Sequence, residues 1–311
     1  MTRRVVPALV IAALSMPAST LAQRPAEEAA TFSAYLATGT QVNANVTYLT
    51  ASGIDLKLDI YRPRGEGGSR PTVLLFHGGG YRAESRKEAF VLNVIPWLQM
   101  GWNAINVEYR SSGHALAPAA VEDARCALHW VTDHAKEYNI DPNRLVVTRQ
   151  SAGGHIATIA GVLPESAGLD TRCNAREPVK VAAIIDWYGP WDYTALLDDP
   201  TRDYARTWIG PQPNRMEVAR LVSPLTYVRP GLPPTLVIHG DSDPTVPYDQ
   251  AVRGVEAMRK AGVPTELYTV PGGRHGNFPR EHVVRIWAAI DAFLVKHGLS
   301  AGAAVQTASA Q

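Results

Sequence analysis

Apolar and polar residues alternate strictly in one short segment near the N-terminal end of the chain. Over residues 54–60, Ile and Leu occupy every even position, and Asp or Lys occupies every odd one. A period of two is typical of a β-strand with one face in water. The apolar segment 42–49 precedes it, and Ala51-Ser52-Gly53 between them is a turn signal. The pattern predicts an antiparallel hairpin at one edge of a sheet.

From residue 71 onward the pattern changes to short, nearly continuous apolar runs, separated by longer stretches with helical periodicity. Such runs are typical of strands that are buried on both faces of a parallel sheet. The predicted strands are Thr72–Phe76, Ala104–Glu108, Leu145–Thr148, Val181–Trp187, Thr235–His239 and Glu266–Val270. The predicted helices are Ala119–Tyr138, one that opens after Ser151, Tyr248–Ala261 and Glu281–His297.

This alternation of strands and helices predicts an α/β fold. We expect a mostly parallel, doubly wound sheet with an N-terminal antiparallel hairpin and helices on both faces. In such sheets a ligand binds beyond the carboxyl ends of the strands. Residues that follow a predicted strand are therefore the first candidates for a functional site.

The ends of the chain differ in composition from its centre. Two arginines, an apolar run over 5–14 and small residues before Gln23 predict a signal peptide over 1–22, cleaved near Ala22, and hence a secreted or periplasmic protein. We expect a connector over 23–40, one large domain over 41–298 and a disordered tail over 299–311. Within the domain, segment 188–224 is rich in Trp, Tyr, Pro and Asp without a clean period, which predicts a lid-like insertion.

Charge and cysteine content exclude several classes of protein. With 30 basic and 29 acidic residues the formal net charge is +1, which gives no field that would attract nucleic acid. No apolar run reaches the roughly 20 residues of a membrane span. The only two cysteines, Cys126 and Cys173, lack metal-ligand spacing, so we expect no metal site.

Cys126 falls almost opposite the apolar stripe of its predicted helix, and this position places its thiol outside the core. In an oxidising compartment such a thiol is more often paired than free. A disulfide between Cys126 and Cys173 is therefore possible, and the sequence leaves it open.

One predicted strand runs into a helix through Ser151, within the sequence Thr148-Arg149-Gln150-Ser151-Ala152-Gly153-Gly154. Small neighbours allow a strand and a helix to approach closely at so sharp a turn. The hydroxyl would then stand clear of the sheet at the positive end of a helix, where the backbone N–H of Ala152 can donate to a developing oxyanion. Ser151 is the predicted nucleophile.

A serine hydroxyl needs a base to act as a nucleophile, and the base needs an orienting carboxylate. Asp243 follows the predicted strand 235–239, and His275 follows the predicted strand 266–270. We therefore expect His275 as the general base and Asp243 as its partner. Asp241 is an alternative acid, although it fits better as a turn former.

A run of glycines, Gly78-Gly79-Gly80, follows the first predicted parallel strand and His77. Glycines let backbone N–H groups come close to a small charged oxygen. We expect Gly78 and Gly79, together with Ala152, to donate hydrogen bonds to the oxyanion.

These motifs, in this order, resemble the α/β-hydrolase superfamily, and more closely its carboxylesterases with an HGGG oxyanion loop, which include acetylxylan and feruloyl esterase-like members. The resemblance extends to Glu108-Tyr109-Arg110, to residues 118–124 and to His239-Gly240-Asp241-Ser242-Asp243. It implies an acyl-enzyme mechanism without a cofactor and a small-molecule ester substrate, with an acetyl or feruloyl ester of a polysaccharide as one option. An aromatic pocket would line the site, and the residues expected there are Tyr81, Gln150, Trp191 and Trp208.

One position departs from the family's Gly-x-Ser-x-Gly pattern, because Arg149 stands where the first glycine belongs. A long side chain there must point outward or deform the turn. Arg149 leaves open a catalytically impaired protein on the same scaffold. A peptidase or amidase of the prolyl-peptidase type also stays open, because it shares the triad.

Overall fold

The structure is a computed structural model that describes residues 37–65, 68–82, 86–87, 93–173 and 178–301. The chain divides into two compact units, residues 1–40 and 41–311. Of the first unit only residues 37–40 are described, as a short helical turn and the first residue of a strand. The predicted signal peptide, nearly all of the predicted connector and most of the predicted tail lie outside the described residues.

The described part of the chain contains an eight-stranded sheet with the order β1-β2-β4-β3-β5-β6-β7-β8. Strand β2 pairs antiparallel with β4, and the strands from β4 to β8 pair in parallel. The strands are β1 (Thr40–Ala51), β2 (Ile54–Pro63), β3 (Arg70–Phe76), β4 (Asn103–Val107), β5 (Ile140–Gln150), β6 (Val181–Trp187), β7 (Thr235–Gly240) and β8 (Thr265–Val270). The predicted α/β fold with an N-terminal antiparallel hairpin is confirmed.

Eight α-helices occur within the described ranges. They are α1 (Ile95–Gln99), α2 (Ala119–Asp133), α3 (Ala152–Val162), α4 (Tyr193–Asp198), α5 (Asp203–Ile209), α6 (Arg215–Leu221), α7 (Tyr248–Lys260) and α8 (Arg280–Lys296). Helices α4, α5 and α6 all lie in the segment 188–224. None of the described helices is long and apolar enough to cross a lipid bilayer.

The central strands are mostly apolar because a separate apolar core covers each face of the sheet. Leu74 and Val147 belong to one core, which also includes side chains of α2, α3, α4, α5 and α7. Their neighbours Val73 and Val146 belong to the other, which includes side chains of α1 and α8. Adjacent residues of a strand point to opposite faces, so both positions must be apolar when both faces are covered.

Cys126 and Cys173 form a disulfide that closes a separation of 47 residues. The position of Cys126 differs from the expectation, since it is only 4 % exposed and packs in the core instead of outside it. Helix α2 is buried on nearly all sides, so the face opposite its apolar stripe also lies in protein.

Candidate active site

Ser151 occupies the sharp turn between β5 and α3. Its backbone has φ 56° and ψ −122°, a left-handed conformation that is rare for a residue with a side chain. The turn is held by the Ser151 N–H, which donates to the Trp187 carbonyl at 2.8 Å, and by the Ser151 carbonyl, which accepts from the His155 N–H at 3.0 Å. Strain of this kind persists only where the surroundings over-determine it.

The two glycines after Ser151 are required by close packing. A Cβ atom on Gly153 would lie 1.8 Å from the Phe76 carbonyl oxygen, and one on Gly154 would lie 2.4 Å from Asp186 Oδ1. No larger residue fits at either position without moving β3 or β6. The small neighbours of Ser151 in the sequence thus have the steric role expected of them.

The side chains of Ser151, His275 and Asp243 lie in a continuous hydrogen-bonded row. His275 Nε2 is 2.7 Å from Ser151 Oγ, and His275 Nδ1 is 2.6 Å from Asp243 Oδ2. An ionised carboxylate can only accept, so Nδ1 carries a proton and donates it, which leaves Nε2 of a neutral ring free to accept from the hydroxyl. The three predicted triad residues are brought together in the geometry that their predicted roles require.

The loops that carry the acid and the base are joined to each other. The Asp241 N–H donates to the Val270 carbonyl at 3.2 Å, and the Ser242 N–H donates to the Gly273 carbonyl at 3.0 Å. Asp241, the alternative acid, accepts from the Gly272 N–H at 2.7 Å and so stabilises the loop that leads to His275. Its carboxylate is exposed and supports the turn.

Asp243 is surrounded by hydrogen-bond donors. Its Oδ1 accepts from the N–H groups of Thr245 at 2.7 Å and Val246 at 3.0 Å. Its Oδ2 contacts His275 and lies 3.3 Å from His239 Nε2, whose N–H is shared with the Val246 carbonyl at 3.0 Å. Burial alone would raise the pKa of Asp243, but the donors on His239 and His275 outweigh burial and hold it well below its usual value. The carboxylate therefore stays ionised beside the base.

A pocket of about 480 Å³ opens over Ser151, within the size range of small-molecule sites. Three consecutive glycines of the HGGG loop form part of its wall, and Gln150 is also part of its lining, as expected from the sequence. The remaining lining residues are Arg82, Tyr188, Tyr204, Thr245, His275 and Gly276. The ring of Tyr188 packs edge-on against His275 with centroids 4.8 Å apart.

The three aromatic residues that were expected to line the pocket do not line it. Tyr81, Trp191 and Trp208 are at most 1 % exposed and do not belong to the pocket wall. Trp191 donates to Asp186 Oδ2 at 2.8 Å, and Trp208 stacks on Tyr81 with ring centroids 4.0 Å apart. All three lie behind the site, so their contacts are with protein.

Sequence reasoning missed the tyrosines that do line the pocket. Tyr188 follows the last residue of β6 directly, and its position beyond a carboxyl strand end was a usable signal. Tyr204 lies in α5, within a segment of no clear period, so nothing in the sequence distinguished it from its buried neighbours.

The side chain of Arg149 does not point out into solvent, and the triad beside it keeps its hydrogen bonds. Its side chain is 3 % exposed, and its positive charge contributes to the lowered pKa of His77 after the larger effect of burial. Its φ of 154° lies in the region that favours glycine. The backbone at residue 149 thus has a conformation that suits glycine, although the residue is a buried arginine.

No cluster of three or more His, Cys, Asp or Glu side chains in the described part of the chain could hold a metal ion. The site presents a hydroxyl, an imidazole and a carboxylate beside a loop of three glycines.

Comparisons with known proteins agree with this geometry. The structure of the esterase Est2 from Thermogutta terrifontis, bound to propionate, superposes with a TM-score of 0.70 at 29 % identity, and the match covers 85 % of this chain and 97 % of that one. A truncated carbohydrate esterase from gut microbiota gives a TM-score of 0.69 at 27 % identity, with coverage of 83 % and 96 %.

Among curated proteins, the esterase LipQ of Mycobacterium tuberculosis is 27 % identical over 237 residues, which cover 73 % of this chain and 55 % of LipQ. The probable carboxylic ester hydrolase LipM of the same organism is 26 % identical over 206 residues, which cover 65 % of this chain and 48 % of LipM. The chain thus spans about half the length of these relatives. The resemblance to α/β-hydrolase carboxylesterases is confirmed. The BD-FAE family model matches residues 58–258, and the chain belongs to that family.

Proposed function

We propose that this protein is a serine carboxylesterase. The observation that carries the proposal is the position of His275, which bridges Ser151 Oγ at 2.7 Å and Asp243 Oδ2 at 2.6 Å on the wall of a pocket lined by a glycine loop. Esterase relatives with the same fold support the reaction class.

The geometry supports a two-step reaction through an acyl-enzyme. Ser151 Oγ attacks the acyl carbon while His275 Nε2 takes the hydroxyl proton, and the carbonyl oxygen becomes an oxyanion stabilised by the N–H groups of Gly78, Gly79 and Ala152. The protonated His275, paired with ionised Asp243, then gives its proton to the leaving alcohol. In the second step a water molecule loses its proton to His275 and attacks the acyl group. Ser151 recovers its proton as the carboxylic acid is released.

We further propose that the substrates are small to medium esters, with acetyl or feruloyl esters of polysaccharides as the natural class. The pocket wall combines an amide on Gln150, a hydroxyl on Thr245, two phenols and a guanidinium. Such a wall can hydrogen-bond the hydroxyl groups of a sugar. The similarity to a carbohydrate esterase and to an esterase with bound propionate supports this choice.

Turnover of p-nitrophenyl acetate, p-nitrophenyl butyrate, acetylated xylan and a peptide anilide tests the proposal. We expect hydrolysis of the esters, no hydrolysis of the anilide and loss of all ester turnover in Ser151→Ala. Anilide hydrolysis at a rate similar to that of the esters would favour a peptidase. Equal ester rates in the wild type and the variant would contradict the serine mechanism.

We also propose that the protein is exported. The Cys126–Cys173 disulfide supports this, because disulfides persist mainly in oxidising compartments. N-terminal sequencing of the protein recovered outside the cytoplasm should begin at Gln23, and recovery of an intact Met1 in the cytoplasm would contradict export.

A further inference from the structure

The oxyanion loop 77–81 has three consecutive glycines and so has few side chains of its own to fix it. Gly79, Gly80 and Tyr81 have φ of 82°, 59° and 63°. The Arg82 N–H donates to the Gly79 carbonyl at 3.1 Å, so Gly80 and Tyr81 occupy the centre of a tight turn with positive φ at both positions. Positive φ carries no steric penalty for glycine but is unfavourable for tyrosine. The surroundings must therefore hold this loop in place.

Tyr109 contacts the start of the loop from beyond the end of β4. Its ring stacks on His77 with centroids 4.1 Å apart and an angle of 7° between the planes. Its hydroxyl donates to the His77 carbonyl at 2.6 Å and lies 3.4 Å from the Gly78 carbonyl. The Gly78 carbonyl also accepts from His77 Nδ1 at 3.2 Å. Tyr109 is 2 % exposed and is not part of the pocket wall.

Tyr81 anchors the other end of the loop in a buried polar cluster. Its hydroxyl contacts His155 Nδ1 at 2.9 Å and the hydroxyl of Tyr193. His155 Nε2 lies 2.7 Å from the Val222 carbonyl, which can only accept, so Nε2 carries the proton. Burial lowers the pKa of His155 to about 3, so its ring is neutral and Nδ1 accepts. Tyr81 thus donates to His155 and accepts from Tyr193.

These anchors act on the N–H groups that face the pocket because the peptide bond is planar. In a trans peptide, the carbonyl of one residue and the N–H of the next point in opposite directions. The bonds that hold the carbonyls of His77 and Gly78 on the Tyr109 side therefore aim the N–H groups of Gly78 and Gly79 away from Tyr109. Both glycines line the pocket.

We propose that Tyr109 and Tyr81 are positioning residues that aim the N–H groups of Gly78 and Gly79 at the oxyanion, Tyr109 through the carbonyls of the loop and Tyr81 through its buried anchor. The inference rests on the proposed esterase function and adds two residues that do not touch the substrate. Both phenols lie behind the loop, so their removal leaves the pocket wall unchanged in composition.

The test compares Tyr109→Phe, Tyr81→Phe and a control, Tyr227→Phe, in the full chain. Tyr227 also donates its hydroxyl to a backbone carbonyl, that of Leu221 at 2.8 Å. Among the residues that the structure describes, no hydrogen bond or ring contact joins it to the loop. We expect kcat for p-nitrophenyl acetate to fall roughly 10-fold in the first two variants, with KM changed by less than about threefold, because only the transition state carries the oxyanion. The control should keep its kcat.

Binding of a trifluoromethyl ketone separates positioning from general loss of stability. This inhibitor adds to Ser151 and forms a hemiketal oxyanion, so its inhibition constant should rise by about the same factor as kcat falls, roughly 10-fold. A kcat and inhibition constant equal to those of the wild type in both folded variants would overturn the inference. So would equal losses in Tyr227→Phe.

Two further outcomes are decided in the same experiment. If Tyr81→Phe or Tyr109→Phe does not fold, Tyr193→Phe removes only the outer donor to Tyr81, and we expect a fall in kcat of about threefold with KM unchanged. No fall in Tyr193→Phe would then overturn the inference. Absence of ester turnover in the wild type would contradict the proposed function. That outcome is distinguishable from failure of the inference, because the wild type and Ser151→Ala would then behave alike.

Discussion

Asp243 and Asp186 lie at the carboxyl ends of neighbouring parallel strands, and neither carboxylate is exposed to solvent. Their pKa values are nevertheless shifted in opposite directions. Two imidazoles and two backbone N–H groups surround Asp243, and its pKa lies well below the usual value despite burial. Asp186 accepts from the Gly189 N–H at 2.9 Å and Trp191 Nε1 at 2.8 Å. Burial raises its pKa to about 6, because it outweighs these two donors and a charge interaction with His239.

The comparison shows that the donors around a buried carboxylate, more than its depth, determine what it can do. Asp243 is ionised over the working range of pH and can stabilise an imidazolium on His275. Asp186 lies against the backbone of Gly154 and Gly189, where a Cβ atom on either glycine would come within 2.4 to 2.5 Å of its Oδ1. It supports the turn that carries Ser151.

The largest difference between the two aspartates should appear in catalysis. In Asp243→Asn the amide can donate to His275 Nδ1 and stabilise the wrong tautomer, so we expect kcat for p-nitrophenyl acetate to fall by about 10⁴-fold. In Asp186→Asn the triad keeps its donors, and kcat should stay within about tenfold of the wild type. Equal losses in the two variants would contradict the separate roles.

Stability should depend on pH in opposite ways through the two groups. Asp186 has a folded-state pKa above its unfolded value, so its contribution is fully present below about pH 4 and is lost as pH rises to about 6, by up to about 3 kcal/mol. Asp243 has a lowered pKa, so its contribution is present above about pH 4 and is lost as pH falls below that.

Urea unfolding of the wild type and Asp186→Asn at pH 4 and pH 7 measures the first effect. The free energy of unfolding of the variant, relative to that of the wild type, should rise between pH 4 and pH 7. A relative stability that does not change with pH would mean that Asp186 is not buried as a neutral acid.

A smaller effect is expected from the second imidazole on Asp243. His239→Phe removes the donor 3.3 Å from Asp243 Oδ2 while His275 keeps its own bond, so kcat should fall roughly 10-fold with KM unchanged. Substitution of a histidine remote from the triad, His297→Phe, is the control and should leave kcat unaltered. A loss of kcat in His239→Phe as large as that in Asp243→Asn would mean that His239 contributes more to catalysis than its 3.3 Å contact with Asp243 explains.

The smallest effect should come from Arg149, whose buried side chain leaves the triad distances intact. Arg149→Gly restores the residue that fits a φ of 154°, and kcat should stay within about threefold of the wild type. The rate of p-nitrophenyl acetate hydrolysis measures it. A gain of two orders of magnitude would show that the arginine impairs the site, which is the alternative left open by the sequence.

The parallel sheet could be predicted from the sequence because strands covered on both faces appear as short, nearly continuous apolar runs. Strand β8 begins one residue before its predicted start, and β7 ends one residue after its predicted end. The first half of strand β5 was not predicted. The strand begins at Ile140, but residues 141–144 are not an apolar run and hide its start. Helices α4 to α6 were also missed as separate elements, because each is only six or seven residues long, which is too short to show a clear helical period.

The triad residues could be located because each follows a strand, and parallel strands end at the same edge. The pocket wall could not be located in this way. Trp208 and Tyr204 lie four residues apart in α5, yet one stacks in the core and the other lines the pocket. That difference depends on how α5 packs, which no local pattern of apolar residues encodes.

Covalent labelling with a fluorophosphonate tests the central claim most directly, since the probe reacts with a serine hydroxyl only when a base removes its proton. Peptide mass spectrometry should find one adduct per chain, on Ser151, together with complete loss of ester turnover. Labelling should be much slower in Asp243→Asn and close to the wild-type rate in Asp186→Asn. An adduct on another residue, or ester turnover that survives stoichiometric labelling of Ser151, would contradict the account.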